Sequence, residues 1–487
     1  MSTISDLFKA WVEIQESHAR FSFYEEYDNY YNGQQDLLKL LPVKVQQAME
    51  QELRVTCNIC KLIIDAKTQY LCGNPISIKV EGTPDGDPDD PMIKQAERDL
   101  YFIYNNTYNL MQHQNMAKLI SSTSKHGDGF VKVYIDEAIP PDINYGILSQ
   151  IQFRVISPKN VYPKYKTDDY QQMESCAIKS IEFDETGKSI IKAQNFLADV
   201  IQFYEWREAE NSQYSAWELV DEQDNTLGFI PIWHFKNSVD DLEFGISDLQ
   251  PICDLQDAIS KTLTDMTVIM DTQAFQRLAV MGAKKQDIDL SPASIIFFPD
   301  TETKIQPIEP ATLEPLLSLL KKLEENAFMI AQIPQVAIGR VEGGAVSGYA
   351  LRIHYLPLEA KCTFLKASVQ DNFRDINAKI FKMLTMLGHP DYTAFEASIE
   401  FDIGLPVDET IETLDTIQKY TAGLISKDTA QQDIGVEDTE EENKRIDKER
   451  LDVYGGAERL TAEAESIANT LSATEPFATP KPEEVPQ

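Results

Sequence analysis

Long apolar runs are missing from this chain: its 487 residues contain no stretch of 18 uncharged apolar positions, which excludes an ordinary membrane-spanning helix. The start, "MSTISDLFKAWVEIQESHARF", lacks a basic segment, an apolar signal core and a small-residue cleavage site. Export is therefore not expected, and the cytoplasm where the chain is made is its expected place of assembly. Positive charge is the next shortage, with 44 Lys and Arg against 79 Asp and Glu, a net charge of −35. A protein that grips nucleic acid by neutralising phosphates needs the opposite balance, because counterion release drives such binding. Such a surface keeps a protein dispersed and repels DNA.

Cysteine and histidine are scarce, six of each. Cys57 and Cys60 form the one C-x-x-C pair, with no second pair and only a lone Cys72 nearby, so a zinc site is not expected. Both lie in a stretch of helical period (Val55, Ile59, Leu62, Ile63, Ala66, Tyr70), which predicts buried structural thiols. Without a secretory signal, disulfides are not expected either. There is no G-x-S-x-G elbow and no H-E-x-x-H, and the abundant carboxylates make any acidic pair uninformative. Nothing in the residues requires catalysis, a metal or a cofactor.

What is present is a sequence of textures. Residues 1–73 read as mostly helical, "PISIKVEG" as a strand, and "TPDGDPDDP" (83–91) as an acidic turn that fails the calcium-loop pattern because Asp90 stands where glycine is needed. Residues 93–126 read as helix. From 129 to about 235 short Val-, Ile-, Phe-, Tyr- and Trp-rich runs separated by turn residues predict strands. The N-terminal half is thus α+β. Ser247 and Gln250 suggest a capping box opening a helix to about Gln273, with Pro251 in its first turn. A compact stretch (274–310) holds a candidate strand "SIIFFP" and the basic pair Lys284–Lys285, and a second helix follows over 311–333. A glycine-rich loop, "GRVEGGAVSG", comes next.

Beyond it the helical period is strongest, from Leu351 through Leu358, Leu365, Phe373 and Ile380 to Leu387, ending at Gly388. Pro357 removes a backbone donor inside this helix and predicts a kink. "ASIEFDIGLPV" reads as a return strand, residues 408–471 as helical, and the proline-rich tail 472–487 as disordered. The loop is no P-loop: it has no lysine, carries Glu342 where an anion would sit, and follows a helix rather than a strand.

Several segments, in order, resemble those of a tailed-bacteriophage portal protein of the siphophage type. "YYNGQ" (30–34) and "NICKLIIDAKTQYLCGNPISI" (58–78) resemble its helix ending in a Y-L-x-G-x-P-I turn. "KHGDGFVKVYID" (125–136) and "VISPKNVYPKY" (155–165) resemble the strands that follow. "GFIPIWHFKN" (228–237) leading into "GISDLQPICDLQDAISKTLTD" resembles the approach to the first stem helix. "IPQVAIGRVEGGAVSGYALRIHYLPLEAK" (333–361), with its S-G-x-A-L-R element, resembles the tunnel loop and tunnel helix, and "TAGLISKDTAQQDIGVEDTEEENKRIDKER" (421–450) the start of the crown.

The resemblance implies an α+β portal fold with a wing, a two-helix stem, a small α/β clip, a long kinked tunnel helix and a helical crown. By position, 1–246 would be the wing, 247–273 and 311–334 the stem helices, 274–310 the clip, 335–347 the tunnel loop, 348–407 the tunnel helix and return strand, and 408–471 the crown. It further implies a dodecameric ring at one capsid vertex of the virion, with double-stranded DNA passing through without sequence specificity. Terminase, head–tail adaptor, major capsid and scaffold proteins would be its partners. The loop residues Gly339, Arg340, Val341, Glu342, Gly343, Gly344, Ala345, Val346, Ser347 and Gly348 would line the constriction. Arg340, Lys284 and Lys285 are either transient phosphate contacts or ordinary surface charges. The alternatives are an α+β enzyme, or another capsid-associated adaptor or scaffold protein.

Overall fold

A computed structural model describes residues 8–9, 11–13, 19–35, 57–82, 90–106, 109–183, 189–207, 216–238, 242–273, 278–281, 304–307, 312–340, 348–401, 409–435, 442–446 and 448. Residues 1–346 and 350–405 form one compact unit, and residues 347–349 and 406–487 a second.

Local chemistry sets the first helices of the larger unit. Helix α1 (Arg20–Asn32) buries Arg20, Tyr24, Tyr27 and Tyr30 along one stripe and ends at Gly33, whose φ of 69° suits glycine. Helix α2 (Ile59–Cys72) is capped by Asn58, whose side chain accepts from the Lys61 amide at 2.9 Å. Strand β1 (Ser77–Glu81) follows. Asp90 then caps helix α3 (Pro91–Asn105) by accepting from the Met92 amide at 2.8 Å, with Pro91 in the first turn. Helix α4 (Met116–His126) turns at Gly127 (φ 87°) into strand β2.

Strand β2 (Asp128–Ile135) is the middle of a three-stranded antiparallel sheet, flanked by β3 (Ile151–Ile156) and β9 (Ile232–Lys236). Between them in sequence lies an antiparallel meander of five strands: β4 (Val161–Lys166), β5 (Asp169–Phe183), β6 (Ser189–Phe196), β7 (Val200–Arg207) and β8 (Ala216–Asp224). One face of it packs on Phe8 and Val12 through Tyr162, Ala193, Tyr204 and Trp217, with the Phe8 and Tyr204 rings stacked 3.8 Å apart.

Helix α5 (Cys253–Gln273), the paired strands β10 (Leu278–Met281) and β11 (Lys304–Pro307), and helix α6 (Glu314–Ala331) come next. Helix α7 (Gly348–Met386) is the spine of the main core. Leu358, Cys362, Leu365, Val369, Phe373, Ile376, Ile380 and Met383 are buried along one side of it, on the stripe read from the sequence. Polar bonds fix its rotation. Tyr104 donates to Asn377 at 2.7 Å, the Trp233 indole donates to Asp375 at 2.7 Å, and Asn377 donates to the Ala397 carbonyl at 3.1 Å. Ala397 lies in strand β12 (Glu396–Glu400), which pairs antiparallel with β1. In the second unit, helices α8 (Glu409–Thr421) and α9 (Lys427–Asp433) are joined through Gly423 (φ 72°) and a turn in which Ser426 accepts from the Thr429 amide.

The α+β expectation agrees with this arrangement; four details differ. The helix expected over 93–126 is broken, because buried Asn109 turns the chain, donating to the carbonyls of Ile103 and Ile151 and accepting from the Phe153 amide. Leu110 takes φ 42°, and a π-helical turn (Met111–Asn115) precedes α4. The helix expected from 247 becomes regular only at Cys253. Ser247 caps a preceding turn, accepting from the Leu249 amide at 3.0 Å while donating to the Lys125 carbonyl. The helix expected over 311–333 runs Glu314–Ala331, because Gln332 adopts φ 58° and stops it. Cys57, expected to be buried, is exposed and lies just ahead of α2, whereas Cys60 is buried as expected; Cys72 is buried too. The segment "SIIFFP", residues 449–471 of the expected helical stretch and the tail 472–487 lie outside the described residues.

Candidate functional site

Among the loop residues singled out from the sequence, Gly339, Arg340 and Gly348 are described; Val341, Glu342, Gly343, Gly344, Ala345, Val346 and Ser347 lie outside the described residues, as do Lys284 and Lys285. The chain reaches the loop by a structured shoulder. After Gln332 reverses the backbone, the Ile333 amide donates to the Phe328 carbonyl at 3.0 Å, and Gln335–Ile338 form a 3₁₀ turn. Gly339 ends that turn at φ 77°, so its glycine is required by the cap itself. Arg340 is held twice: its amide donates to the Gln335 carbonyl at 3.0 Å, and its guanidinium meets the Glu324 carboxylate at 2.8 Å. Arg340 remains 53% exposed, and exposed pairs of this kind contribute only about 0.2–1 kcal/mol. Gly348 opens α7, and Pro357 sits on an exposed turn of that helix, which continues through it to Met386.

The more constrained geometry lies at the lead-in to α5, where sequence reasoning had no candidate. Residues 245–248 run against the end of α4 and the start of β2. The Gly245 amide donates to Asp128 at 2.7 Å, the Ile246 amide to the Asn237 carbonyl at 3.1 Å, and the Asp248 amide to the Ser124 carbonyl at 2.9 Å. Asp128 is buried and also accepts from Tyr24 at 2.5 Å and bonds the His234 ring at 2.7 Å; the other ring nitrogen of His234 meets the Tyr165 hydroxyl. Burial holds the His234 pKa below its ordinary value against the opposing pull of Asp128. Burial, reinforced by Asp128, pushes the Tyr24 phenol well above its own. This buried chain of hydrogen bonds ties the lead-in to α1, β2 and β9.

Asp248 makes a second junction. Its carboxylate lies 2.6 Å from Lys67 of α2 and 3.2 Å from Lys361 of α7, and Lys361 also donates to the Ala331 carbonyl ending α6 at 3.1 Å. One signal for it was legible: Lys67 stands between Ile63 and Leu71 on the buried stripe of α2, where an unpaired lysine is not tolerated. Among the described residues, no group of three or more His, Cys, Asp or Glu could hold a metal ion, and no helix is long and apolar enough to cross a membrane.

The family model for phage portal proteins of the SPP1 Gp6-like type matches residues 12–453, nearly the whole chain. The chain belongs to this phage portal protein family. No curated protein gives a significant match. Similar solved structures include a chain of the neck of an empty GTA particle computed with C6 symmetry, at 13% identity and TM-score 0.47, covering 79% of this portal chain and 91% of that one. A chain of the virion of a native gene transfer agent particle matches at 13% identity and TM-score 0.45, covering 78% and 89%. A chain of the neck of a native GTA particle computed with C12 symmetry matches at 14% identity and TM-score 0.44, covering 78% and 89%. Within this portal chain, helices α5 and α6, and α7 after the glycine segment, follow one another in the order read from the sequence; the strand pair β10–β11 between the first two was not read there.

Proposed function

We propose that twelve copies of this portal chain close into a ring at one capsid vertex, through which double-stranded DNA is packaged by a terminase motor and later leaves toward a head–tail adaptor. In this reading 1–246 is the wing, the helices around 247–273 and 311–334 the stem, 274–310 the clip, 335–347 the tunnel loop, 348–407 the tunnel helix with its return strand, and 408–471 the crown. The role is structural rather than catalytic, and major capsid and scaffold proteins are its further partners. The observation that carries it is the match of one portal family model across residues 12–453.

Two features of the chain support it. Leu317, Leu319, Met329 and Ile330 on α6, with Ile353, Leu356 and Phe364 on α7, are exposed large apolar side chains, of the kind a neighbouring copy covers in a closed heterologous ring. A net charge of −35 per copy suits a conduit that DNA slides through rather than a surface that holds it. Arg340 enters this picture as a cation shared between Glu324 and a passing phosphate, and Lys284 and Lys285 as clip contacts. A bend at Pro357 would shape the tunnel helix.

The native mass tests the reading. A species of about 660 kDa, twelve times the 55.2 kDa chain, is expected by mass photometry, with annular particles in negative stain. A stable monomer that binds a small ligand would instead favour an enzyme. The loop assignment has its own test. Valine at both Gly343 and Gly344 is expected to leave the ring mass unchanged and lower the yield of DNA-filled heads by about tenfold, since valine removes the backbone freedom glycine allows. Normal filling by that variant would remove the loop from the channel.

A further inference from the structure

Asp248 stands where four helices meet. Its carboxylate binds Lys67 of α2 and Lys361 of α7, its amide donates to Ser124 of α4, and through Lys361 it reaches the Ala331 carbonyl that ends α6. Lys67 also lies 3.3 Å from the Asn237 side chain. Asp248 itself is the last residue of the 245–248 lead-in to α5. The charges are out of water: Lys67 is 1% exposed, Asp248 7% and Lys361 18%. Two cations around one carboxylate leave a net positive charge in the interior of a strongly acidic chain. Such a cluster is a poor source of stability, because desolvation offsets most of the attraction and apolar residues of the same volume do as well. Its value lies in specificity. Two ammonium groups held on one buried carboxylate select which segments meet and at what distance, because leaving any of the three unpaired is costly.

Apolar packing is incomplete at this point. A cavity of about 460 Å³ opens beside the cluster, between Ile246 and Pro251 on one side and Ala360, Phe364 and Leu365 on the other, with Gln332 at its margin. Leu249 and Ile252 share the buried core with Leu358, Cys362 and Leu365, but on the side of this opening the two segments leave space between them. Asp248 and Lys361 line it.

We propose that Asp248 is a positioning residue: with Lys361 it sets the spacing of α5 and α6 against α7, and through that spacing the bore of the channel. The inference rests on the ring-and-channel reading above. Of the two helices that flank the strand pair β10–β11, α6 ends at this cluster and α5 begins at Cys253, just beyond it, so a shift of α7 is passed to both of them.

The test separates folding from positioning. Lys361→Met leaves the Lys67–Asp248 pair intact as a neutral unit, so the chain is expected to fold with a thermal midpoint close to that of the unaltered chain. Hydrogen exchange at 249–263 and 320–331 is expected to rise, whether the protein is a ring or a free subunit, and the yield of DNA-filled heads to fall about tenfold. Lys361→Arg, which restores both bonds, is expected to recover both readouts. As a control, the triple variant Lys67→Met, Asp248→Leu, Lys361→Met removes every charge of the cluster, the larger leucine facing the cavity beside it. It is expected to keep stability and to lose head filling. Unchanged exchange in Lys361→Met overturns the positioning role itself. Raised exchange with normal head filling shows that the spacing does not control the channel. A ring absent from the unaltered chain strikes the portal reading alone, because the exchange measurement still reports on the joint.

Discussion

Replacing Gly245 by alanine is expected to cost this portal chain about 3 kcal/mol or more, among the largest effects of any single methyl group in it. A Cβ at Gly245 would lie 2.7 Å from the Asn237 amide nitrogen and closer still to the Gly127 carbonyl oxygen. Both obstacles are backbone atoms, which cannot rotate aside. They are also already bonded to each other, the Asn237 amide donating to the Gly127 carbonyl at 2.8 Å. Relief would have to come from pulling residues 245–248 off α4, which breaks the bonds from Ser247 and Asp248 to the Lys125 and Ser124 carbonyls. Gly127→Ala meets the same crowding from the other side, 2.7 Å from the Gly245 backbone, and adds left-handed strain at φ 87°. Urea denaturation of each variant measures the loss. A midpoint unchanged in Gly245→Ala would mean that the two segments are not in contact.

The second large effect is expected at Asp128. All three of its neighbours are donors: the Tyr24 hydroxyl, the Gly245 amide and the His234 ring. Asp128→Asn keeps one oxygen for the Gly245 amide and the His234 ring and turns its NH₂ to the Tyr24 oxygen, which removes a charged acceptor and leaves the buried Tyr24 hydroxyl hydrogen without one, at a cost of about 3 kcal/mol. The same network makes stability depend on pH. Burial depresses the folded-state pKa of His234, so the unfolded chain takes up the proton more readily than the folded one. Stability from this group is therefore level above about pH 7 and falls as the pH drops through about 6.5, the ordinary value of the free side chain. A denaturation midpoint that falls between pH 7 and 5, with a shallower fall in His234→Asn, is the expected result. An identical slope in that variant would remove His234 as the source.

Much of the fold could be read from particular residues. The stripe from Leu358 to Met383 is buried where its three- and four-residue spacing placed it, because helical period is a local property that survives any tertiary arrangement. The Val-, Ile- and aromatic-rich runs "GFVKVYI", "IQFRVI" and "FIPIWHF" became strands, the first pairing with each of the other two. Helix starts were less legible. Ser247 looks like a helix cap in sequence, yet its hydroxyl also serves the Lys125 carbonyl, 122 positions earlier. The break at Asn109 depends on carbonyls in β3 that no local pattern announces.

The functional geometry divides in the same way. The glycine-rich segment stands out in sequence because its residue types are unusual in themselves. Asp128 and Asp248 do not, being two of 79 acidic residues in a chain where acids carry little information singly. Only the close approach of α2, α4 and α7 removes water from around Asp248 and turns an ordinary aspartate into a three-way junction. The sequence by itself determined the order of elements, the acidic charge and the place of the glycine segment, all of which follow from residue type and near-neighbour spacing. Which charges are buried, why Gly127 and Gly245 must be glycine and where the lead-in to α5 is anchored were decided by the tertiary structure, because each depends on partners 100 or more positions away along the chain.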